Sequence, residues 1–99
     1  MSVHSSARAE ETHQVLAQSF LDGPEYAVDS VSRNGEHKVT AIWKYDKRPV
    51  GSAPFVYHAT RLIDSGEAAP ILEMLREALD AAGHRQGPAH SELIDDCVR

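Results

Sequence analysis

The sequence predicts an α+β fold, a mostly antiparallel sheet with one long helix packed on it, and three observations lead there. Short apolar or alternating runs at 14–20, 25–32, 37–45, 55–63 and 88–94 read as strands. The Asn34-Gly35 pair marks a tight hairpin, and Ile71, Leu72, Leu75, Ala78, Leu79 and Ala82 recur at helical spacing. A chain of 99 residues allows one small domain with little core to spare.

Residues 1–13 are polar and rich in Ser, Ala and Glu without a sustained apolar period, so they are expected to form a polar tail, frayed or weakly helical, ahead of a folded unit at 14–99. Val15, Leu16, Ala17 and Phe20 suit a short buried strand, and a helix ending near Leu21 suits them almost as well. Either element stops at Asp22-Gly23-Pro24. Glu25 to Ser32 then alternates, with Tyr26 and Val28 on one face and Glu25, Ala27, Asp29 and Val31 on the other, which puts two carboxylates on one face.

Asn-Gly supplies the two positive-φ positions of a type I′ turn, so His37–Tyr45 is expected to return antiparallel to 25–32. Simple alternation places Val39, Ala41, Trp43 and Tyr45 on one face and Lys38, Thr40, Ile42 and Lys44 on the other, with Trp43 and Tyr45 read as core. Asp46–Pro54, holding Pro49, Gly51 and Pro54, reads as a loop before a strand at Phe55–Ile63. Asp64 followed by Glu67 has the spacing of a capping box, Pro70 falls in the first turn, and Gly83 stops the helix. The last strand, Pro88–Ile94, shows His90, Glu92 and Ile94 on one face.

Composition narrows the function. At 41% apolar and 25% charged, the chain is an ordinary globular one, and a net charge of -5 gives no general attraction for nucleic acid. No run approaches the roughly 18 apolar residues that cross a bilayer, and no secretory leader opens the sequence, so a cytoplasmic chain without membrane contact is expected. Cys97, beside Asp95 and Asp96, reads as an incidental thiol. The six histidines lack zinc-type spacing, and Ser5, Ser6, Ser30 and Ser32 lack a nucleophile-elbow context.

Phe20-Leu21-Asp22-Gly23-Pro24-Glu25-Tyr26-Ala27-Val28-Asp29 resembles the adenine hinge and ribose-contacting segment of ATP-grasp ligases. Trp43-Lys44-Tyr45-Asp46-Lys47-Arg48-Pro49, Ala53-Pro54-Phe55-Val56-Tyr57 and Gly87-Pro88-Ala89-His90-Ser91-Glu92 extend the likeness to the carboxylate–amine (amino acid) ligase branch. The resemblance covers about Val15 to Glu92 and implies the C-terminal part of an ATP-grasp domain. By position it implies that Gln18 begins the hinge, that Phe20 and Leu21 offer backbone to adenine, and that Glu25 takes the ribose hydroxyls. It further implies Lys47 as a phosphate contact, Glu92 as a ligand of the Mg²⁺ that bridges the ATP phosphates, and His90 as a residue beside the acyl substrate.

Enzymes of this kind phosphorylate a small carboxylate with ATP, and an amine then attacks the acyl phosphate. Their phosphate-holding lysines lie in a preceding lobe, and a second metal-binding acid, an Asn and an Arg follow the position of Glu92. Here a polar stretch precedes the hinge and Leu93 to Arg99 follow Glu92, so a partial domain is expected, not active alone. The alternative is a non-catalytic remnant whose exposed face serves self-association, giving a homo-oligomer, or binding of a protein partner.

Overall fold

The structure, a computed structural model, describes residues 2–5 and 13–96. The elements run β1 (Ser2–Ser5), β2 (Val15–Gln18), β3 (Glu25–Arg33), β4 (Glu36–Val50), β5 (Ala53–Leu62), α1 (Ala69–Ala81) and β6 (Gly87–Ile94). Strands β3 to β6 form a four-stranded sheet in the order β5-β4-β3-β6, and every pairing in it is antiparallel. The α+β architecture expected from the sequence is the one observed.

The β3–β4 hairpin closes at Arg33↔Glu36 around Asn34 and Gly35, with φ of 53° and 84°. Both central residues lie in the left-handed region, as a type I′ turn requires. Strand β4 then runs past the end expected for it. Residues 46–54, read from the sequence as a loop, continue the β4–β5 ladder to Val50↔Ala53 and turn at Gly51, whose φ is 56°. Pro49 is tolerated because it falls in a register irregularity between Arg48 and Val50, beyond Lys44, the last residue that β4 pairs with β3.

Two bulges decide which side chains face which way. Asp29 pairs with Ala41 but Ser30 pairs with Val39, so Thr40 is an extra residue in β4. Its hydroxyl donates to the Asp29 carbonyl at 3.1 Å. The insertion turns Val39 away from the face of Ala41 and Trp43, and Val39 packs against the core. Likewise Asp46 pairs with Ala59 and Lys47 with Tyr57, leaving His58 as the extra residue in β5.

Helix α1 covers one face of the sheet. Ile71, Leu72, Leu75 and Leu79 of α1 pack on Tyr26, Val28, Ile42 and Leu93, with Ile63 and Ala68 closing the core beside them. Each such aliphatic side chain contributes about 1.5–3 kcal/mol when fully buried. Ala78 and Ala82, grouped with the apolar stripe by spacing, are exposed. Trp43 and Tyr45 are only part-buried, on the face opposite α1, because Ile42 between them points into the core. The reading of those two aromatics as core is therefore corrected.

The helix begins later than the capping box suggests. Asp64 Oδ1 accepts the Glu67 N–H at 2.9 Å, but this closes a separate turn at 65–68, and Ala68 occupies the N-cap without a side-chain hydrogen bond. The Glu67 carboxylate accepts from Arg61 at 3.0 Å instead of returning to Asp64. At the other end Gly83, φ 74°, donates to the Asp80 carbonyl and His84 donates to that of Leu79, each at 3.0 Å, which is a Schellman motif.

Ser2–Ser5, inside the stretch read as a tail, pairs antiparallel with β2 from Ser2↔Gln18 to Ser5↔Val15. Strand β2 is thus a strand, but not a buried one. Val15 and Leu16 are 65% and 57% exposed because this ribbon stands apart from the core that α1 and the sheet share. Cys97 lies outside the described residues. No helix among the described residues is long and apolar enough to cross a membrane.

Candidate functional site

The sheet face opposite α1 carries the polar chemistry, and strand register builds it. On β3 the residues on this face are Glu25, Ala27 and Asp29, opposed on β6 by Ile94, Glu92 and His90. On β4 they are Trp43, Tyr45 and Lys47, and the His58 bulge brings Tyr57 onto the same face opposite Lys47. The segment leaving β2 completes the wall. Gln18, Phe20 and Leu21 join Glu25, Lys47, Glu92, Phe55 and Tyr57 around a cavity of about 380 Å³, within the size range of small-molecule sites.

Six of the seven residues singled out from the sequence therefore meet in one cavity. The seventh, His90, lies farther along the same face, where its Nδ1–H donates to Asp29 Oδ1 at 2.7 Å. Asp29 Oδ2 accepts from Trp43 Nε1 at 3.2 Å. Hydrogen bonds from His90 and then Trp43 hold the Asp29 carboxyl below the usual carboxylate range, and the bond to Asp29 raises the His90 imidazole above its ordinary value.

Glu25 is the deepest charge in the site, 6% exposed. A carboxylate so placed needs partners, and it has Tyr57, whose hydroxyl donates to Oε1 at 3.0 Å, and Lys47, whose Nζ lies 3.2 Å from the same oxygen. Lys47 also sits 5.4 Å from the centroid of the Phe55 ring, a cation–π distance. Glu92 is more open and accepts from the Tyr45 hydroxyl at 3.2 Å. Desolvation, with the Glu25 bond next, pushes the Tyr57 hydroxyl up to about 12, while desolvation and then the charge of Glu92 raise that of Tyr45. Each carboxylate thus has its own tyrosine, and the two rings touch with centroids 5.1 Å apart.

Tyr45, Tyr57 and Phe55 are not among the residues singled out from the sequence. A signal existed in the spacing: Phe55-x-Tyr57 repeats the Trp43-x-Tyr45-x-Lys47 alternation of the preceding strand, as two aromatic faces brought together would. What sequence could not supply is the bulge that puts them on one side.

Two other arrangements lie outside this cavity. A hollow of about 630 Å³ between the β3–β4 hairpin and α1 is lined by residues of both charges, including Lys38, Arg76, Glu36 and Asp80, and by none of those singled out above. Beside it, His37 Nε2–H donates to Asp80 Oδ1 at 2.7 Å and Nδ1 is hydrogen-bonded to Ser32 Oγ. The order Ser-His-Asp resembles a nucleophilic triad, but Ser32 is 3% exposed and out of reach of a substrate. This chain of bonds joins the sheet to α1. Among the described residues no cluster of three or more His, Cys, Asp or Glu could hold a metal ion.

A family model for the ATP-grasp domain matches residues 2–98. No curated protein and no solved structure matches the chain.

Proposed function

The chain belongs to the ATP-grasp domain family, a nucleotide-binding, ligase-type domain, and on that premise we propose that it contributes part of the nucleotide and metal surface of a carboxylate–amine ligase that works through an acyl phosphate. The observation that carries this reading is the convergence of Gln18, Phe20, Leu21, Glu25, Lys47 and Glu92 on one cavity. In it the segment from Gln18 to Leu21 offers backbone to the adenine edge, Glu25 accepts the ribose hydroxyls, and Lys47 turns toward the phosphates. His90, held by Asp29, stands toward the acyl substrate. A cytoplasmic location, where ATP is plentiful, belongs to the same reading.

Glu92 is the residue that would hold Mg²⁺. One exposed carboxylate fits an ion that keeps several waters and shares its remaining ligands with substrate phosphates, though not an all-protein metal cage. When bound, such an ion supplies charge neutralisation during phosphoryl transfer. Among the described residues lining the cavity Lys47 is the one cation, and it already faces Glu25. One committed lysine is a poor match for a triphosphate, so the chain by itself binds ATP weakly and does not turn it over.

A second reading is favoured by a different observation. Val15, Leu16, Phe20 and Leu21 expose between 40% and 65% of their surface, and β5 is an open sheet edge with Val56 and Leu62 exposed. Such surface suits a remnant that associates with itself or with another protein.

A thermal-shift titration of the full chain separates the two. Stabilisation that requires ATP and Mg²⁺ together and disappears in Glu92→Ala supports the ligase reading. No shift at millimolar ATP, combined with concentration-dependent sedimentation that Leu16→Ser and Phe20→Ser abolish, supports the association reading. A single monomer boundary at high concentration removes it.

A further inference from the structure

We infer that Tyr57 is the positioning residue of the nucleoside site, fixing the Glu25 carboxylate so that its second oxygen meets the ribose hydroxyls. The inference rests on the nucleotide reading proposed above and deepens it.

Among the described residues, both partners of the Glu25 carboxylate fall on the same oxygen, Oε1. Oε2 is thereby the acceptor left to the cavity. The two partners are not equivalent. Lys47 reaches Oε1 on a long flexible stem and, as the one cation among the described residues lining the cavity, would be shared between Glu25 and the phosphates of a bound nucleotide. Tyr57 has only two side-chain torsions, and its half-exposed ring contacts Tyr45 at 5.1 Å and Phe55 at 5.3 Å, nearly edge-on to the latter. A donor with so few torsions and two ring contacts sets the carboxylate plane before ligand arrives, and pre-organisation is worth affinity because the ordering is not repeated on binding.

The contact is also a built one. In a regular β5, His58 would oppose Lys47 and Tyr57 would point toward the other face of the sheet. The bulge at His58 brings Tyr57 to the cavity, in keeping with the use of bulges to re-aim a side chain beside a site. Tyr45 makes the parallel contact with Glu92 and serves as an internal control, since its hydroxyl donates to Glu92 while that of Tyr57 donates to Glu25.

The test is an NMR titration of the full chain with Mg²⁺-ATP and with Mg²⁺-2′,3′-dideoxy-ATP, which lacks both ribose hydroxyls, read as the ratio of the two dissociation constants. Wild type is expected to prefer ATP by roughly tenfold, as one or two hydrogen bonds to a carboxylate allow. Tyr57→Phe, which keeps the ring and removes only the hydroxyl, should bring the ratio close to one, while Tyr45→Phe leaves it near the wild-type value. If wild type discriminates and Tyr57→Phe discriminates equally, the positioning role is overturned and the nucleotide reading stands. If Tyr45→Phe lowers the ratio as much as Tyr57→Phe, the effect belongs to the aromatic cluster, and the specific role of Tyr57 is likewise overturned. A wild type that binds neither nucleotide, or both alike, overturns the inference together with the reading beneath it.

Discussion

Asp29 and His90 form a cross-strand pair between β3 and β6, with Asp29 Oδ1 2.7 Å from His90 Nδ1 and the other Asp29 oxygen tied to Trp43. The pair is open to water and spans two strands that meet only through tertiary pairing, so it reports directly on the geometry of the cavity face.

The sign of its pH dependence follows from the two shifts. His90 is raised above 6.5, so its contribution to stability is full below that value and is lost as pH rises through the folded-state value. Asp29 is lowered below 3.8, so its contribution is full above that value and is lost as pH falls through the folded-state value. The pair therefore supports the fold best between pH 3.8 and 6.5. In Asp29→Asn, an NMR titration of the His90 ring should show its midpoint falling back toward 6.5; an unchanged midpoint would show that the hydrogen bond is not formed in solution.

Glu25 and Tyr57 can be examined through the phenol. The Tyr57 hydroxyl, pushed up to about 12, should titrate late in tyrosinate absorbance. Glu25→Gln removes the charge and weakens the accepted bond, so the midpoint should move toward 10.0 without reaching it, since desolvation is the larger cause and remains. A midpoint indifferent to Glu25→Gln would separate the two residues.

Gly23 is required by its neighbour. A Cβ at that position would stand 2.0 Å from the carbonyl oxygen of Asp95, and the Asp95 N–H donates to the Pro24 carbonyl at 2.9 Å, so backbone meets backbone where nothing flexible can give. Gly23→Ala is expected to destabilise by about 1–3 kcal/mol, read as a fall in melting temperature of about 4–8 °C per kcal/mol. A melting temperature equal to wild type would mean that the turn and Asp95 are not in contact.

Leu75 is 1% exposed at the centre of the helix–sheet core, while Met74, next to it, is 39% exposed. Leu75→Ala should cost about 2–5 kcal/mol in urea unfolding, a large part of what a small domain has. Met74→Ala should stay within about 0.5 kcal/mol. Equal effects at the two positions would contradict the helix orientation.

Much of the candidate cavity face was legible residue by residue. The alternation that put Glu25 and Asp29 on one face of β3, and His90 and Glu92 on one face of β6, holds in the structure because those strands carry no bulge where they pair with each other. The same rule failed on β4 at Val39 and left Tyr57 unassigned on β5. Alternation assumes an uninterrupted ladder, and Thr40 and His58 interrupt it. The 46–54 stretch differs from the loop its sequence suggests for a related reason: its prolines and glycine mark breaks in a central strand, but are compatible with a ladder that has a neighbour on one side only.

What the sequence determined by itself is local. Asn34-Gly35 carries the type I′ turn in its own backbone preferences, Gly83 ends the helix, and the spacing of Ile71, Leu72, Leu75 and Leu79 selects the buried face of α1. Its motifs also pointed to the ATP-grasp family. Only the tertiary structure decided that Glu25 meets Tyr57 and Lys47, that Glu92 meets Tyr45, and that the exit of β2 closes the same cavity. Those contacts join residues 22 to 47 positions apart in pairings set by register. Register depends on where a strand takes an extra residue, which is settled by the competition of whole faces for the core.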